Sequence, residues 1–153
     1  ALDLFGPAEV AFAAMRNIRG ASDDDVIIVL HHLVGVDSYL TASAVSGFMG
    51  PRVRISARGG TLVINDLDPQ EEMLKRGEIP HGGRWNSPTN SEARLYRGDN
   101  NNFETIPSEN GSYVDYYLQV RQAITDGSPM PVANKDALEV ARLIDIAREI
   151  SLR

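Results

Sequence analysis

"RVRISARGGTLVIND", residues 52–66, decides the fold. Val53, Ile55 and Ala57 alternate with Arg52, Arg54, Ser56 and Arg58, so one face of an extended segment is apolar and the other charged. Gly59 and Gly60 turn the chain into a second β-rich run, Thr61 to Asp66. A spacer this short cannot hold a crossover helix, so the two runs form an antiparallel hairpin rather than a βαβ unit.

The same grammar extends upstream. "EVAFAAMRN", residues 9–17, puts Val10, Phe12 and Ala14 on one face by period-two counting. "VIIVLHHLV", residues 26–34, is nearly continuous and β-branched, the pattern of a central strand. Gly35 to Ser38 supply a turn, and "YLTASAVS", residues 39–46, reads as the return strand. "ALDLF" followed by Gly6-Pro7 reads as the last turn of a helix with its stop signal. A chain opening one turn before a helix stop is expected to be a piece of a longer protein.

Downstream the period changes. Asp68, Pro69 and Glu71 form a capping box with proline at the first helical position. Met73 to Arg76 complete two turns, with the bases at the negative end of the dipole, and Gly77 and Pro80 end it. Residues 81–92 are a loop, and "ARLYR" (93–97) and "NFETIP" (102–107) read as another hairpin. Ser112 with Asp115 caps a helix whose face is Tyr113, Tyr116, Tyr117, Val120 and Ile124, and Gly127 ends it. After the stiff "SPMPV" connector, residues 128–132, Asn134 is expected to cap a last helix with Ala137, Val140, Ala141, Ile144 and Ala147 as its face. Strands and helices in separate blocks predict an α+β fold: a mostly antiparallel β-sheet with helices packed on one face, the other face open or in a dimer interface.

Bulk properties narrow the partners. The 153 residues fit one domain, and 42% hydrophobic with 24% charged content is ordinary for a globular chain. A net charge of −6 argues against nucleic acid as a partner. No apolar run approaches the ~20 residues of a membrane helix. Ala1 to Leu4 lack the basic start and apolar stretch of a signal peptide, and cysteine is absent. The expectation is a cytoplasmic protein.

Chemical candidates are few. His31 and His32 are neighbours on a strand and point to opposite faces, so they cannot share a metal; one is expected to be buried and bonded, the other on the open face. With His81 the only other histidine, a metal site is not expected. Neither G-x-G-x-x-G nor G-x-x-x-x-G-K occurs. The Arg52, Arg54 and Arg58 stripe could hold an anion, but a solvated or subunit-facing sheet face is the better reading. The tyrosines at 113, 116 and 117 read as core and helix packing, and "SDDD", residues 22–25, as a solvated turn. Trp85, in a glycine-rich loop beside His81 and Arg84, is the best pocket candidate; a packing role is open beside it.

The ordered series "GPAEVAFA", "RGASDDDVIIVLHH", "PRVRISARGGTLVIND", "LDPQEEMLKRGEIP" through to Trp85, "GSYVDYYLQVRQAITDGSPMPV" and "AREIS" resembles the C-terminal domain of the glucose–fructose oxidoreductase / inositol dehydrogenase / rhizopine catabolism (Gfo/Idh/MocA) family. The resemblance covers essentially the whole chain as a single domain. It implies an N-terminal Rossmann domain, absent from this chain, that binds NAD or NADP. It implies a C-terminal sheet that closes the substrate site and forms a homodimer through its open face, here the Arg52-bearing one. The implied chemistry is hydride transfer between nicotinamide and a sugar, cyclitol or related hydroxyl compound. The family's catalytic lysine lies in a Glu-Lys-Pro motif, and its aspartate and histidine lie four apart on the helix entering this domain. This chain has neither motif, so no catalytic, cofactor-binding or metal-binding residue carries over, and His81 and Trp85 remain as substrate-facing candidates. Two other readings stay open: a stand-alone interaction module using the open sheet face, and a small-molecule binding protein centred on Trp85.

Overall fold

The structure, a computed structural model, describes residues 1–20, 22–48, 50–65, 70–79, 92–98, 102–109 and 111–152. They form two compact units, residues 1–47 with 132–153 and residues 48–131. Strands and helices are both well represented and every strand pairing is antiparallel, so the fold is α+β as the sequence predicts.

In the first unit, α1 (Leu2–Phe5) is a single turn that ends where Gly6 adopts φ 75°, a conformation open to glycine and costly for other residues. The strands β1 (Ala8–Arg16), β2 (Asp25–His32) and β3 (Asp37–Ser43) form a meander in the order β1-β2-β3. The predicted period of β1 does not hold along its length. Val10 pairs with Leu30 and Phe12 with Val29, which leaves Ala11 as an extra, bulged residue. The bulge reverses the phase: Ala8 and Val10 share their face with Ala13 and Met15, and Phe12 and Ala14 turn to the other side. Phe12, expected to share a face with Val10, is accordingly on the opposite side and 52% exposed.

One sheet face is covered by α4 (Asn134–Ser151), which packs on β1. The α4 stripe in the interior is Leu143, Ile146, Ala147 and Ile150; of the predicted face, Ala147 belongs to it and is 0% exposed, whereas Ala137, Val140, Ala141 and Ile144 are exposed. The helix carries two apolar stripes, and the strand takes the one that ends at Ser151. That hydroxyl accepts the Met15 N–H at 2.7 Å and donates to the Met15 carbonyl at 3.3 Å, which fixes the rotation. Ala133, not Asn134, is the N-cap, and no side chain bonds there, because the extended connector ends one residue earlier than an asparagine cap requires.

In the second unit, β4 (Val53–Ala57), β5 (Gly60–Ile64), β6 (Ala93–Tyr96) and β7 (Phe103–Ile106) form a second meander in sequential order. Ala57 pairs with Gly60 across the predicted tight turn. Gly60 has φ 146°, and a Cβ there would overlap the Tyr96 carbonyl oxygen on the neighbouring strand. The short helix α2 (Gln70–Lys75) buries Gln70 and Met73. Its predicted capping box, Asp68 to Glu71, starts outside the described residues.

The long helix α3 (Tyr113–Asp126) is capped as predicted, with the Asp115 N–H donating to Ser112 Oγ at 3.1 Å and Gly127 at its end. Its predicted packing face is not interior, however. No α3 residue is buried, and Tyr117 and Ile124 are 69% and 77% exposed. Tyr116 and Tyr117 sit edge to face, 5.4 Å apart, on the helix surface. Adjacent rings diverge by about 100° around a helix, so the pair cannot share one seam.

Candidate functional site

The polar centre of the first unit is His32. Its position on β2 points it to the side that α4 covers, and it is 0% exposed. A buried imidazole needs partners for both nitrogens. Nδ1 donates to the Gly6 carbonyl at 2.9 Å, since a carbonyl can only accept, and Nε2 meets Ser38 Oγ at 2.9 Å. The Phe5 ring stands edge-on to the imidazole at 5.5 Å. One side chain thus joins the helix stop of α1, strand β2 and strand β3. A serine beside an imidazole resembles a nucleophile and its base. Here the pair is closed off: Ser38 is buried too, and the third partner is a backbone carbonyl rather than a carboxylate.

His31 lies on the opposite face, as strand geometry requires. Its Nδ1 is 2.7 Å from Asp37 Oδ1 on β3, and Glu9 is its partner position on β1. The next row on that open face is Phe12–Val29–Tyr39, with Tyr39 72% exposed. Among the described residues, no three histidine, aspartate or glutamate side chains converge as a metal site would require.

The arginine stripe extends farther than the sequence suggested. Arg54, Val63, Arg94 and Thr105 occupy one row across the second sheet, and Ser56, Thr61, Tyr96 and Phe103 the next. Arg52, Arg54 and Arg58 are exposed, and the Arg94 guanidinium lies 4.9 Å over the Phe103 ring. The acidic run is more structured than a solvated turn. Asp24 accepts the Ile18 and Arg19 backbone N–H groups, both at 2.8 Å, and Asp25 pairs with Arg16 across β1 and β2. The Ile18 N–H, helped by Arg19, holds the Asp24 carboxyl below the usual aspartate range against the opposing effect of its partial desolvation.

Sequence reasoning passed over Gln70. It is 2% exposed, and its Oε1 accepts the Tyr113 N–H at 3.0 Å, tying α2 to the first residue of α3. Its place directly after the Asp-Pro pair was the available signal. His81 and Trp85, the predicted substrate-facing residues, lie outside the described residues, so their surroundings are not part of this geometry.

These features define an α+β scaffold domain whose buried imidazole is structural and whose own sequence holds no dinucleotide-phosphate turn. The oxidoreductase-family C-terminal alpha/beta domain, GFO_IDH_MocA_C, matches residues 1–151, and the chain belongs to that family. It is 29% identical over 154 residues to scyllo-inositol 2-dehydrogenase (NADP(+)) IolW of Bacillus subtilis (strain 168), covering 98% of this chain and 43% of that protein. It is 32% identical over 91 residues to the uncharacterized oxidoreductase YdgJ of Escherichia coli (strain K12), 59% of this chain and 26% of YdgJ. The solved structure of yvaA from Bacillus subtilis superposes with a TM-score of 0.84 at 28% identity, over 98% of this chain and 46% of that one. The chain spans less than half the length of each. No helix among the described residues is long and apolar enough to cross a membrane.

Proposed function

We propose that residues 1–153 act as one domain, the C-terminal substrate and oligomerisation domain of an NADP-linked oxidoreductase. Its substrate is a cyclitol, sugar or related hydroxyl compound. The observation that carries this reading is near-complete alignment to the C-terminal part of a family in which a relative is a scyllo-inositol dehydrogenase using NADP(+). The chain's residues do not fit a dinucleotide on their own, because no glycine-rich strand-to-helix turn is present to approach a pyrophosphate. Cofactor binding and hydride transfer therefore belong to the preceding part of the parent enzyme. The domain shapes the substrate side. His81 and Trp85 supply a hydrogen-bonding group and an apolar ring for a polyol face, a pairing suited to sugars.

The test is direct. The full-length polypeptide, assayed with NADP+ against a panel of inositols and aldoses, should reduce the nucleotide, and residues 1–153 alone should not. Turnover by the isolated domain, or silence of the full-length protein across the panel, would refute the reading. Trp85→Ala in the full-length enzyme should raise KM for the polyol roughly tenfold, leaving nucleotide affinity unchanged.

The same reading includes a homodimer through an open sheet face. The Phe12–Val29–Tyr39 row, with both ends exposed and Val29 half-buried between them and with charged rows beyond it, has the apolar-centre and polar-rim composition of a subunit contact. The Arg52-bearing face, expected from the sequence to form this contact, carries Arg54 and Arg94 in one row, and like charges there resist close approach of a like surface unless acids intervene. Tyr39→Glu should convert the dimer to monomer by light scattering; an unchanged dimer would place the contact elsewhere.

A further inference from the structure

We propose that His32 is a positioning residue. Its imidazole fastens the end of α1 to the β2–β3 strands and so sets the direction from which the preceding part of the parent enzyme enters this domain. The proposal rests on the reading above that this chain is the C-terminal domain of a longer oxidoreductase. In a protein built that way, whatever precedes the domain reaches it through α1, the first element of the chain.

The geometry isolates His32 as the fastener. Besides the Gly6 carbonyl, it holds Ser38 on a different strand and packs edge-on to Phe5, the last residue of α1. It is the largest fully buried side chain among the described residues. Among the described residues, a backbone tie at this corner is the Leu33 N–H donating to the Pro7 carbonyl at 3.0 Å. That tie is backbone and holds the start of β1, one residue past the helix stop. At the end of α1, where Gly6 takes a φ of 75°, the side-chain contacts among the described residues that hold the helix to β2 are the His32 bond to the Gly6 carbonyl and the Phe5 ring against the imidazole, so both run through His32. Reacting atoms must be held about 3–3.5 Å apart in the right orientation, and a misplacement of about 1 Å can cost roughly 100-fold. A small rotation at the junction is thus amplified into lost turnover with little change in nucleotide binding.

The imidazole's two bonds can be separated chemically. His32→Asn keeps an N–H donor near the Nδ1 position and loses the Ser38 link. His32→Gln keeps an amide near the Nε2 position and loses the Gly6 link. Ser38→Ala removes the second link alone. All three should lower Tm. In the full-length enzyme, His32→Gln should lose roughly 10- to 100-fold in kcat at constant KM for nucleotide, whereas His32→Asn and Ser38→Ala stay within about threefold of wild type. Amide exchange of the peptide spanning residues 2–6, measured on the same full-length polypeptides, should accelerate roughly tenfold in His32→Gln and stay near wild type in His32→Asn. A kcat loss that follows Tm irrespective of which bond is kept would overturn the proposal. If the full-length wild type turns over nothing, the functional reading falls and exchange alone decides: equal protection of residues 2–6 in the Asn and Gln variants would overturn the positioning role.

Discussion

In the first unit α4 lays Leu143 and Ala147 against β1, and both are buried. In the second unit α3, only four residues shorter, buries none of its side chains. Both helices have apolar residues at helical spacing, and α3 has the better N-cap. The contrast shows which properties are local. Caps and period decide where a helix forms; whether its apolar side meets anything depends on what the chain brings beside it. The first unit brings a small-residue strand, Ala8 and Ala13, and a hydroxyl at Ser151 that bonds strand backbone. The comparison should therefore be visible in energetics, with the first unit sensitive to single truncations and α3 insensitive.

The largest effect is expected at His32. His32→Ala empties a ring-sized volume and leaves the Gly6 carbonyl and Ser38 hydroxyl without their partner. The cost should be about 3–5 kcal/mol in urea unfolding of the chain. His31→Ala, next to it but exposed and, among the described residues, with its side chain bonded to Asp37 alone, should cost less than about 1 kcal/mol. Comparable losses at the two positions would mean that the corner around Gly6 is not what the imidazole stabilises.

The helix comparison is sharpened by a second pair. Leu143→Ala should destabilise by about 2–4 kcal/mol. Tyr117→Ala on α3 should stay within about 0.5 kcal/mol in the same chain. A costly Tyr117→Ala would show that α3 has a covered face and would break the contrast.

Sequence reading succeeded where the determinants lie within a few residues. The Gly59-Gly60 hairpin, the Ser112–Asp115 cap and the Gly6-Pro7 helix stop were all legible, because each is a short-range hydrogen-bond or φ requirement. The bulge at Ala11 was not. In "VAFAA" no residue marks which alanine is the extra one, and the choice depends on pairing with Leu30 and Val29. The α4 seam was illegible for a related reason, since period alone cannot rank two apolar stripes. At the candidate site, opposite facing of His31 and His32 followed from strand geometry, but which one is buried follows from α1, Ser38 and α4, far apart in sequence. The anchoring of Asp24 was hidden because its donors are backbone N–H groups, which carry no side-chain signature.

Within the second unit, one glycine tests whether the hairpin is as constrained as the first unit's core. Gly60→Ala needs an unfavourable φ of 146° and places its Cβ into the Tyr96 carbonyl. It should cost about 2 kcal/mol and loosen β5–β6 pairing by amide exchange. Gly59→Ala, with open space around it, should be near neutral. Equal costs would mean that the turn, not the close approach of β6, demands glycine.

The smallest expected effect concerns acid. The Asp24 carboxyl is held below its ordinary value of 3.8, first by the Ile18 N–H and then by Arg19, so the folded state binds a proton there less readily than the unfolded chain. Its contribution is fully present above the unfolded value and is lost as pH falls through the folded one. Asp24→Asn keeps the shape but not the charge, so stability of the variant should fall less steeply between about pH 5 and pH 2 than that of wild type. The difference should vanish at the acid end, where wild-type Asp24 is itself neutral. Because the acceptor joins residues 18 and 19 to the start of β2, the loss should appear as faster exchange of those two amides in the first unit, with the second unit's strands unaffected. An acid limb identical in the two proteins would show that the loop holds its shape without the carboxylate's charge.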